Sequence, residues 1–325
     1  MLFVGLLGLL ALLCLLSIAI GSRQLGLGTV LRALFDAQDG EVTAIVRGLR
    51  LPRTLVGLAC GAALGLSGAV MQALTRNPLA DPGLLGVSAG AAFAVVAAVS
   101  LLGVTSLLGY IWFAFAGALL AGLLVYLIGG LGRGTFTPIR LVLSGVVVTA
   151  LLSSLTSALA LTDPAALNRF RFWSAGSLAG HDNGALLRIL PFLAVGVVLA
   201  MSSAPALDSL SLGDDVATSL GRRVGLVRLR AAAAVTLLTG SAVAVIGPVA
   251  FIGLVVPHLA RLISGADHRW LLPLAAVIAP CLLLAADILG RVVARPEEIQ
   301  TGIVVAFLGA PAFIALVRRG RLGAL

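Results

Sequence analysis

The sequence predicts an all-α, polytopic membrane protein with about ten transmembrane helices. Of its 325 residues, 60% are hydrophobic and only 11% are charged, and the mean hydropathy is +1.14. A soluble domain is roughly 45–50% apolar and about 25% charged. Apolar stretches of about 20 residues, the length needed to cross a bilayer, follow one another along nearly the whole chain. This composition excludes a soluble enzyme and a nucleic-acid-binding protein.

Nine apolar blocks can be separated in the sequence. They lie at 2–20, 54–75, 86–108, 110–130, 138–161, 185–202, 231–260, 271–290 and 302–317. The block at 231–260 is too long for one ordinary span, and it contains Gly247 followed by Pro248, whose missing N–H favours a break. It therefore predicts one full helix and one short helix, which brings the total to ten. We expect a single transmembrane domain over residues 1–325.

The first block predicts a transmembrane helix rather than a removable signal peptide, because no basic residue precedes it and no small-residue cleavage signal follows it. An even number of spans returns both termini to the same side of the membrane. The terminal run Arg318-Arg319-Gly320-Arg321 predicts that this side is the cytoplasm, where basic residues are enriched.

Arginine supplies all the positive charge, because the 22 basic residues include no lysine. With both termini in the cytoplasm, 12 of the 22 arginines fall in cytoplasmic segments and the other 10 in outer segments. Five of the outer arginines crowd one connection: Arg23, Arg32, Arg47, Arg50 and Arg53. Two interpretations stay open for this group. It contacts lipid headgroups or the nearby acids Asp36, Asp39 and Glu41, or it forms a docking surface for a partner.

Residues suited to catalysis or metal binding are not grouped in the sequence. The absence of lysine excludes a Walker A loop, so any ATP-driven work requires a second polypeptide. The three histidines are far apart, and the three cysteines lie inside apolar blocks without metal-ligand spacing. We therefore expect no enzymatic activity of the chain itself and no cofactor.

One acid, Asp287, falls inside an apolar block, and Arg291 follows it one helical turn later on the same face. An unpaired charge within a membrane span costs at least ~2.5–3.5 kcal/mol. We expect an ion pair between these two side chains. A proton relay would require more intramembrane titratable residues than the chain supplies.

The second block predicts a closely packed helix that ends in an irregular turn. Gly57, Gly61, Gly65 and Gly68 lie along one helix, where small residues let a neighbouring helix approach. The run at 76–83 then contains two prolines and a glycine. Kinked, polar backbone at a membrane boundary is tolerated beside water or protein, so this turn either borders a pathway or is an ordinary loop.

The run LGDDVATSLG at 212–221 predicts a two-turn helix in a cytoplasmic connection. Asp214 and Asp215 lie at the positive N-terminal end, Val216 and Leu220 share one face, and Gly221 ends the helix. Such a helix either docks a partner protein or rests on the bilayer surface.

Several longer runs resemble one family, the membrane permeases of ABC importers for iron-siderophores, haem and cobalamin. They are RLPRTL at 50–55, GAALGLSGAVMQ at 61–72, NPLADPGLLGVSAG at 77–90, LGDDVATSLG at 212–221, GPVAFIGLVVPH at 247–258 and LGAP at 308–311. The resemblance looks closest to ferric-enterobactin permease subunits through RFWSAGSL at 171–178, GADHRW at 265–270 and ADILGRV at 286–292.

This resemblance implies an ABC importer permease of the type II architecture in the bacterial cytoplasmic membrane, with both termini cytoplasmic. It implies a second permease subunit, identical or homologous, two cytoplasmic ATPase subunits, an extracytoplasmic substrate-binding protein and a ferric-siderophore substrate. The lipid bilayer is the medium, and no nucleic acid, metal ligand or cofactor is implied. Residues 1–325 would then form one transmembrane permease domain.

The resemblance also implies roles for particular residues. The ATPase coupling segment would comprise Gly213, Asp214, Asp215, Val216, Ala217, Thr218, Ser219, Leu220 and Gly221. A cytoplasmic gate would lie near Asn77, Thr137 and Pro138, and the binding protein would dock on Arg50, Arg53 and Arg291.

Alternatives to a siderophore permease predict different features. A haem or cobalamin permease would share the fold and the coupling segment. An ion-coupled secondary transporter would place titratable residues at the bilayer midplane and work without an ATPase. A channel or membrane scaffold is a third class.

Overall fold

A computed structural model describes residues 2–21, 25–35, 40–104, 106–130, 137–180 and 183–318. Within these ranges the secondary structure is helical, and no strand is present. The α-helices in chain order are α1 (Leu2–Ala19), α2 (Leu27–Phe35), α3 (Glu41–Thr43), α4 (Leu51–Thr75), α5 (Val87–Leu102), α6 (Leu107–Gly130), α7 (Pro138–Thr162), α8 (Pro164–Ser174), α9 (Asn183–Ser202), α10 (Ala204–Ser211), α11 (Asp214–Ser219), α12 (Val224–Ile246), α13 (Ile252–Ser264), α14 (His268–Val293) and α15 (Thr301–Arg318). A π-helical segment, Ala44–Arg50, joins α3 to α4, and a 3-10 turn at Pro82–Leu85 precedes α5.

The described part of the chain contains seven helical segments long and apolar enough to cross a membrane. They correspond to α1, the continuous segment Glu41–Thr75 that ends in α4, and most or all of α6, α7, α9, α12 and α14. Three shorter apolar helices, α5, α13 and α15, supply three more hydrophobic segments. The predicted class, an all-α polytopic membrane protein, is confirmed.

The long seventh block is broken as its Gly-Pro pair predicts. Helix α12 ends at Ile246 and α13 begins at Ile252. Gly247 has φ +74°, and a Cβ there would lie 2.2 Å from the carbonyl oxygen of Trp173, so only glycine fits this close approach. Phe251 also has a positive φ, +68°, which is uncommon for a bulky side chain. Nonhelical backbone at this depth is tolerated where protein or a cavity surrounds it.

The core forms around α4, which packs against α14, α12 and α13. The glycines of α4 make this possible. A Cβ on Gly61 would lie 2.7 Å from Cα of Pro280, and one on Gly65 would lie 2.5 Å from the carbonyl oxygen of Ala275. A Cβ on Gly68 would lie 2.1 Å from the carbonyl oxygen of Gly253. The predicted close helix approach is therefore confirmed.

Helices at the periphery expose their apolar side chains. Helix α1 is mostly exposed and packs mainly against α14, and many leucines of α6 and α7 are exposed as well. A helix in lipid gains from exposing apolar groups, so these faces are suited to the hydrocarbon core or to another subunit. Helix α2 packs Val30 and Ala33 against Ile18 and Val46, which fixes it beside the end of α1.

Candidate functional site

Helix α11 is the short helix predicted from the sequence between two glycines. Gly213 has φ +115° and Gly221 has φ +76°, a region of backbone conformation that favours glycine. Val216 is 42% exposed and Leu220 is 59% exposed. The predicted apolar face is therefore present and uncovered within this chain.

The other residues of α11 hold this face in place. Ala217 is buried against the rest of the protein. The hydroxyl of Thr218 donates to the carbonyl oxygen of Asp214 at 2.7 Å, and that of Ser219 donates to the carbonyl oxygen of Val216 at 2.8 Å. The hydroxyl groups are thus used inside the helix, and Val216 and Leu220 are the exposed apolar side chains of this segment.

The carboxylate of Asp214 accepts hydrogen bonds from two arginines that lie outside α11. Nη2 of Arg76 donates to Oδ1 of Asp214, and Nη2 of Arg228 donates to Oδ2 at 2.7 Å. Nε of Arg76 also donates to the carbonyl oxygen of Leu210 at 2.8 Å. We call Arg76, Asp214 and Arg228 the Asp214 cluster. The sequence predicted Asp214 as a helix-end acid but not its two partners, because nothing local relates positions 76, 214 and 228.

The turn that follows α4 is tightly bonded. Arg76 ends the helix with φ +48°. The side chain of Asn77 is exposed, and its Oδ1 accepts a hydrogen bond from the backbone of Leu79 at 2.9 Å. Oδ1 of Asp81 accepts one from the backbone of Gly83 at 2.8 Å. Burial raises the pKa of the Asp81 carboxyl, and the bond from Gly83 opposes that rise.

The second half of the predicted gate lies at the start of α7. Pro138 is the first helical residue, and Oγ1 of Thr137 accepts a hydrogen bond from the backbone N–H of Arg140 at 3.4 Å, which caps the helix. Among the residues that the structure describes, no hydrogen bond joins Asn77 to Thr137. The gate role of these positions stays a prediction.

Gln72 connects α4 to the broken helix and was missed by sequence reasoning. Its side chain is fully buried, and its Nε2 donates to the carbonyl oxygens of Leu254 at 3.2 Å and Gly253 at 3.4 Å. A polar side chain within an apolar helix is the signal that would have identified it. The end of α4 and the start of α13 are therefore bonded as well as packed.

Charged side chains also meet at the opposite end of α4. Arg53 donates to the Asp287 carboxylate through Nη2 at 2.8 Å and Nε at 3.1 Å, a bidentate pair, and its Nη1 donates to Glu298 at 2.7 Å. Arg291 and Asp287 form the predicted i,i+4 ion pair at 2.8 Å. Thr301 donates to Oδ1 of Asp287 at 2.8 Å. Glu298 and Thr301 were not predicted from sequence.

Arg50 and Arg291 are buried, with 6% and 2% exposure, and both bind the C-terminal carbonyl oxygens of α1. Nη1 of Arg50 donates to the carbonyls of Ile18 and Ala19, and Nη1 of Arg291 donates to those of Ser17 and Ile20, all at 2.7 to 2.8 Å. These oxygens have no partner within the helix, and cations stabilise this end of its dipole. The sequence predicts that both arginines lie at the outer surface, whereas both side chains are buried in the structure. Their docking role stays a prediction.

Within the described ranges, no group of three or more histidine, cysteine, aspartate or glutamate residues is arranged to hold a metal ion. The polar groups beside the broken helix are backbone, amide and hydroxyl groups, and charged side chains lie at the two ends of α4.

An interrupted helix in the core of a polytopic helical bundle is typical of membrane transport proteins. The model of the FecCD transport family matches residues 9–319. The chain belongs to the FecCD transport family.

Curated relatives and solved structures agree with this assignment. The ferric enterobactin transport system permease protein FepD of Escherichia coli K12 is 49% identical over 98% of this chain and 95% of that protein. The hemin transport system permease protein HmuU of Yersinia pestis is 40% identical over 95% of this chain and 94% of that protein. A metal-chelate type ABC transporter solved in an inward-facing conformation superposes with a TM-score of 0.87 at 30% identity, covering 98% of this chain and 99% of that one.

Proposed function

We propose that this chain is the permease subunit of an ABC importer that carries a ferric-siderophore complex across the bacterial cytoplasmic membrane. The assignment of ATPase coupling rests on helix α11, whose Val216 and Leu220 are exposed although the rest of the helix is fixed to the protein. The family of this chain and the relatives described above support its role in transport. Residues 1–325 act as one permease domain.

ATP hydrolysis takes place on separate subunits. The sequence contains no lysine, so it has no Walker A loop to bind the nucleotide phosphates. One of the two ATPase subunits docks on the coupling segment from Gly213 to Gly221 of this chain, with α11 inserted into a groove of that partner. A second permease subunit, identical or homologous, completes the pathway.

The ferric complex crosses as an intact chelate that the permease surrounds without stripping the iron. Selectivity then resides in an extracytoplasmic binding protein, and ATP-driven closure of the ATPase pair shifts the permease between inward-open and outward-open populations. The turn at 76–81 and the start of α7, with Asn77, Thr137 and Pro138, lie at the cytoplasmic gate of this cycle.

The binding protein docks at the outer end of α4 and α14, where Arg50, Arg53 and Arg291 gather. Arg53 and Glu298 are the partly exposed members of this group, with side-chain exposures of 12% and 33%. The buried arginines, Arg50 and Arg291, hold the end of α1 in place beside them. Ion pairs between these partly exposed side chains and the binding protein contribute about 0–1 kcal/mol each. They therefore affect the orientation and association rate of the binding protein more than its affinity.

Both termini face the cytoplasm. The side that carries α11 also carries Arg76, Arg222, Arg223 and Arg228, which fits the enrichment of basic residues on the cytoplasmic side. Arg319 and Arg321, on which the sequence prediction also relied, lie outside the described residues.

The coupling assignment is tested by replacing Val216 and Leu220 with aspartate together. We expect the double variant to insert into the membrane normally and to lose co-purification of the cognate ATPase, because two charges replace the apolar contact surface. Leu226→Asp is the matched control, since Leu226 is 43% exposed on α12 outside the coupling segment. Wild-type recovery of the ATPase by the double variant would contradict the proposal.

A further inference from the structure

The Asp214 cluster joins three elements through one carboxylate. Asp214 is the first residue of α11, Arg76 follows the last residue of α4, and Arg228 lies in the second turn of α12. Oδ1 of Asp214 accepts hydrogen bonds from both guanidinium groups, and Oδ2 accepts a second bond from Arg228. No other contact described above ties α11 to both of these long helices.

The three side chains of the Asp214 cluster differ in burial. The side chain of Arg228 is 4% exposed, whereas that of Asp214 is 40% exposed and that of Arg76 is 31% exposed. Exposed ion pairs contribute little to stability, but a buried cation that loses its counter-charge is strongly unfavourable. The carboxylate is therefore held against α12 while it remains part of the surface that presents Val216 and Leu220.

Arg76 continues this connection into the end of α4. Its backbone is left-handed, and its Nε donates to the carbonyl oxygen of Leu210 at the end of α10. The next residue, Asn77, lies in the turn at 76–81. One helical turn earlier, Gln72 donates to the carbonyl oxygens at the start of α13. The end of α4 is thus bonded to α11 on one side and to the broken helix on the other.

We propose that Asp214 and Arg76 are positioning residues for import: their ion pair passes a displacement of α11 to the end of α4 and to the turn at 76–81. The inference rests on the proposed function, because it takes α11 as the helix that the ATPase moves. Without this pair, α11 would stay bonded to α12 through Arg228 but would have no bond to the end of α4. With the pair intact, the arginine forces the end of α4 to follow.

The test uses the complete transporter in proteoliposomes, with its cognate ATPase, partner permease and binding protein, and measures substrate molecules imported per ATP hydrolysed. Arg76→Gln cuts the link to α4 and leaves the pair of Asp214 with Arg228 intact. We expect unchanged co-purification of the ATPase, sustained ATP hydrolysis and a fall in the import ratio of roughly fivefold or more, the usual size of a coupling between sites.

Two further variants separate transmission from simple structure. Asp214→Asn removes the counter-charge of both arginines and should lower the import ratio in the same way. Arg76→Lys keeps the charge but lacks the planar fork that reaches Asp214 and Leu210 together, so we expect it to recover part of the ratio. Arg230→Gln is the matched control, because Arg230 is exposed on α12 outside the cluster, and it should stay within about twofold of wild type.

The outcomes distinguish this inference from the coupling assignment itself. A wild-type import ratio in both Arg76→Gln and Asp214→Asn overturns the inference, even where the aspartate variants of Val216 and Leu220 lose the ATPase as expected. Loss of the ATPase from Arg76→Gln, or aggregation of both Arg76 variants, also overturns it, since Arg76 would then serve docking or folding. If the Val216 and Leu220 double variant retains the ATPase, that result contradicts the coupling assignment itself.

Discussion

At the scale of single residues, Asp287 shows how a buried charge is accommodated in an apolar bundle. Its carboxylate is completely buried, accepts hydrogen bonds from Arg53 and Thr301, and forms an ion pair with Arg291. Arg291 in turn binds the end of α1. One acid therefore holds α4, α14 and α15 together and indirectly fixes α1, so its charge has a structural use that requires no proton transfer.

Replacing Asp287 with asparagine should destabilise the protein by about 3–5 kcal/mol, because it leaves buried arginines without their counter-charge. The matched control is Glu298→Gln, which removes a carboxylate from the same Arg53 at a position with 33% side-chain exposure and should cost about 0–1 kcal/mol. Denaturant titration of the two variants in detergent measures the difference. Equal losses in the free energy of unfolding would show that burial does not determine how much these ion pairs stabilise the protein.

At the scale of helices, packing depends on where glycine allows two backbones to meet. Gly68 of α4 touches Gly253 at the start of α13, close to the break that separates α13 from α12. The row of glycines along α4 predicted a close approach but not its partner. Small residues stabilise such contacts because helix association in lipid depends on close packing rather than on the hydrophobic effect.

Gly68→Ala should destabilise the protein by about 1–3 kcal/mol, because its Cβ would lie 2.1 Å from the carbonyl oxygen of Gly253 and backbone must move. Gly8→Ala in α1 is the control, since a Cβ there meets nothing within 4 Å. We expect the control to be neutral or slightly stabilising, as alanine is the better helix former. Thermal unfolding in detergent measures both, and equal midpoints would contradict the packing of α4 on α13.

At the scale of the whole molecule, the bundle places charged groups at its two ends and small or weakly polar groups between them. The cargo that we propose for this bundle is a bulky ferric chelate. The cycle that we propose moves such a cargo by changing which end is open.

The reconstituted system should import a ferric siderophore in preference to haem or cobalamin. The reason is the high similarity of this chain to a ferric enterobactin permease over nearly its full length, compared with its lower identity to a haem permease. Competition uptake with labelled ferric siderophore, haem and cobalamin measures the preference, with the cognate binding protein supplied in each case. Preferential import of haem would favour the alternative permease class instead.

The sequence by itself determined the class, the approximate number of helices, the break near Pro248, the exposed helix α11 and the pair of Asp287 with Arg291. These features depend on hydropathy and on spacing within one helix, which local sequence carries. Only the tertiary structure decided that Arg50 and Arg291 are buried and that Asp214 binds Arg76 and Arg228. A helix in contact with lipid and a helix in the protein core are both apolar on all sides, so sequence periodicity does not separate α1 from α12. The partners of a charge across the bundle lie at positions that no local pattern relates, and the fold alone brings them together.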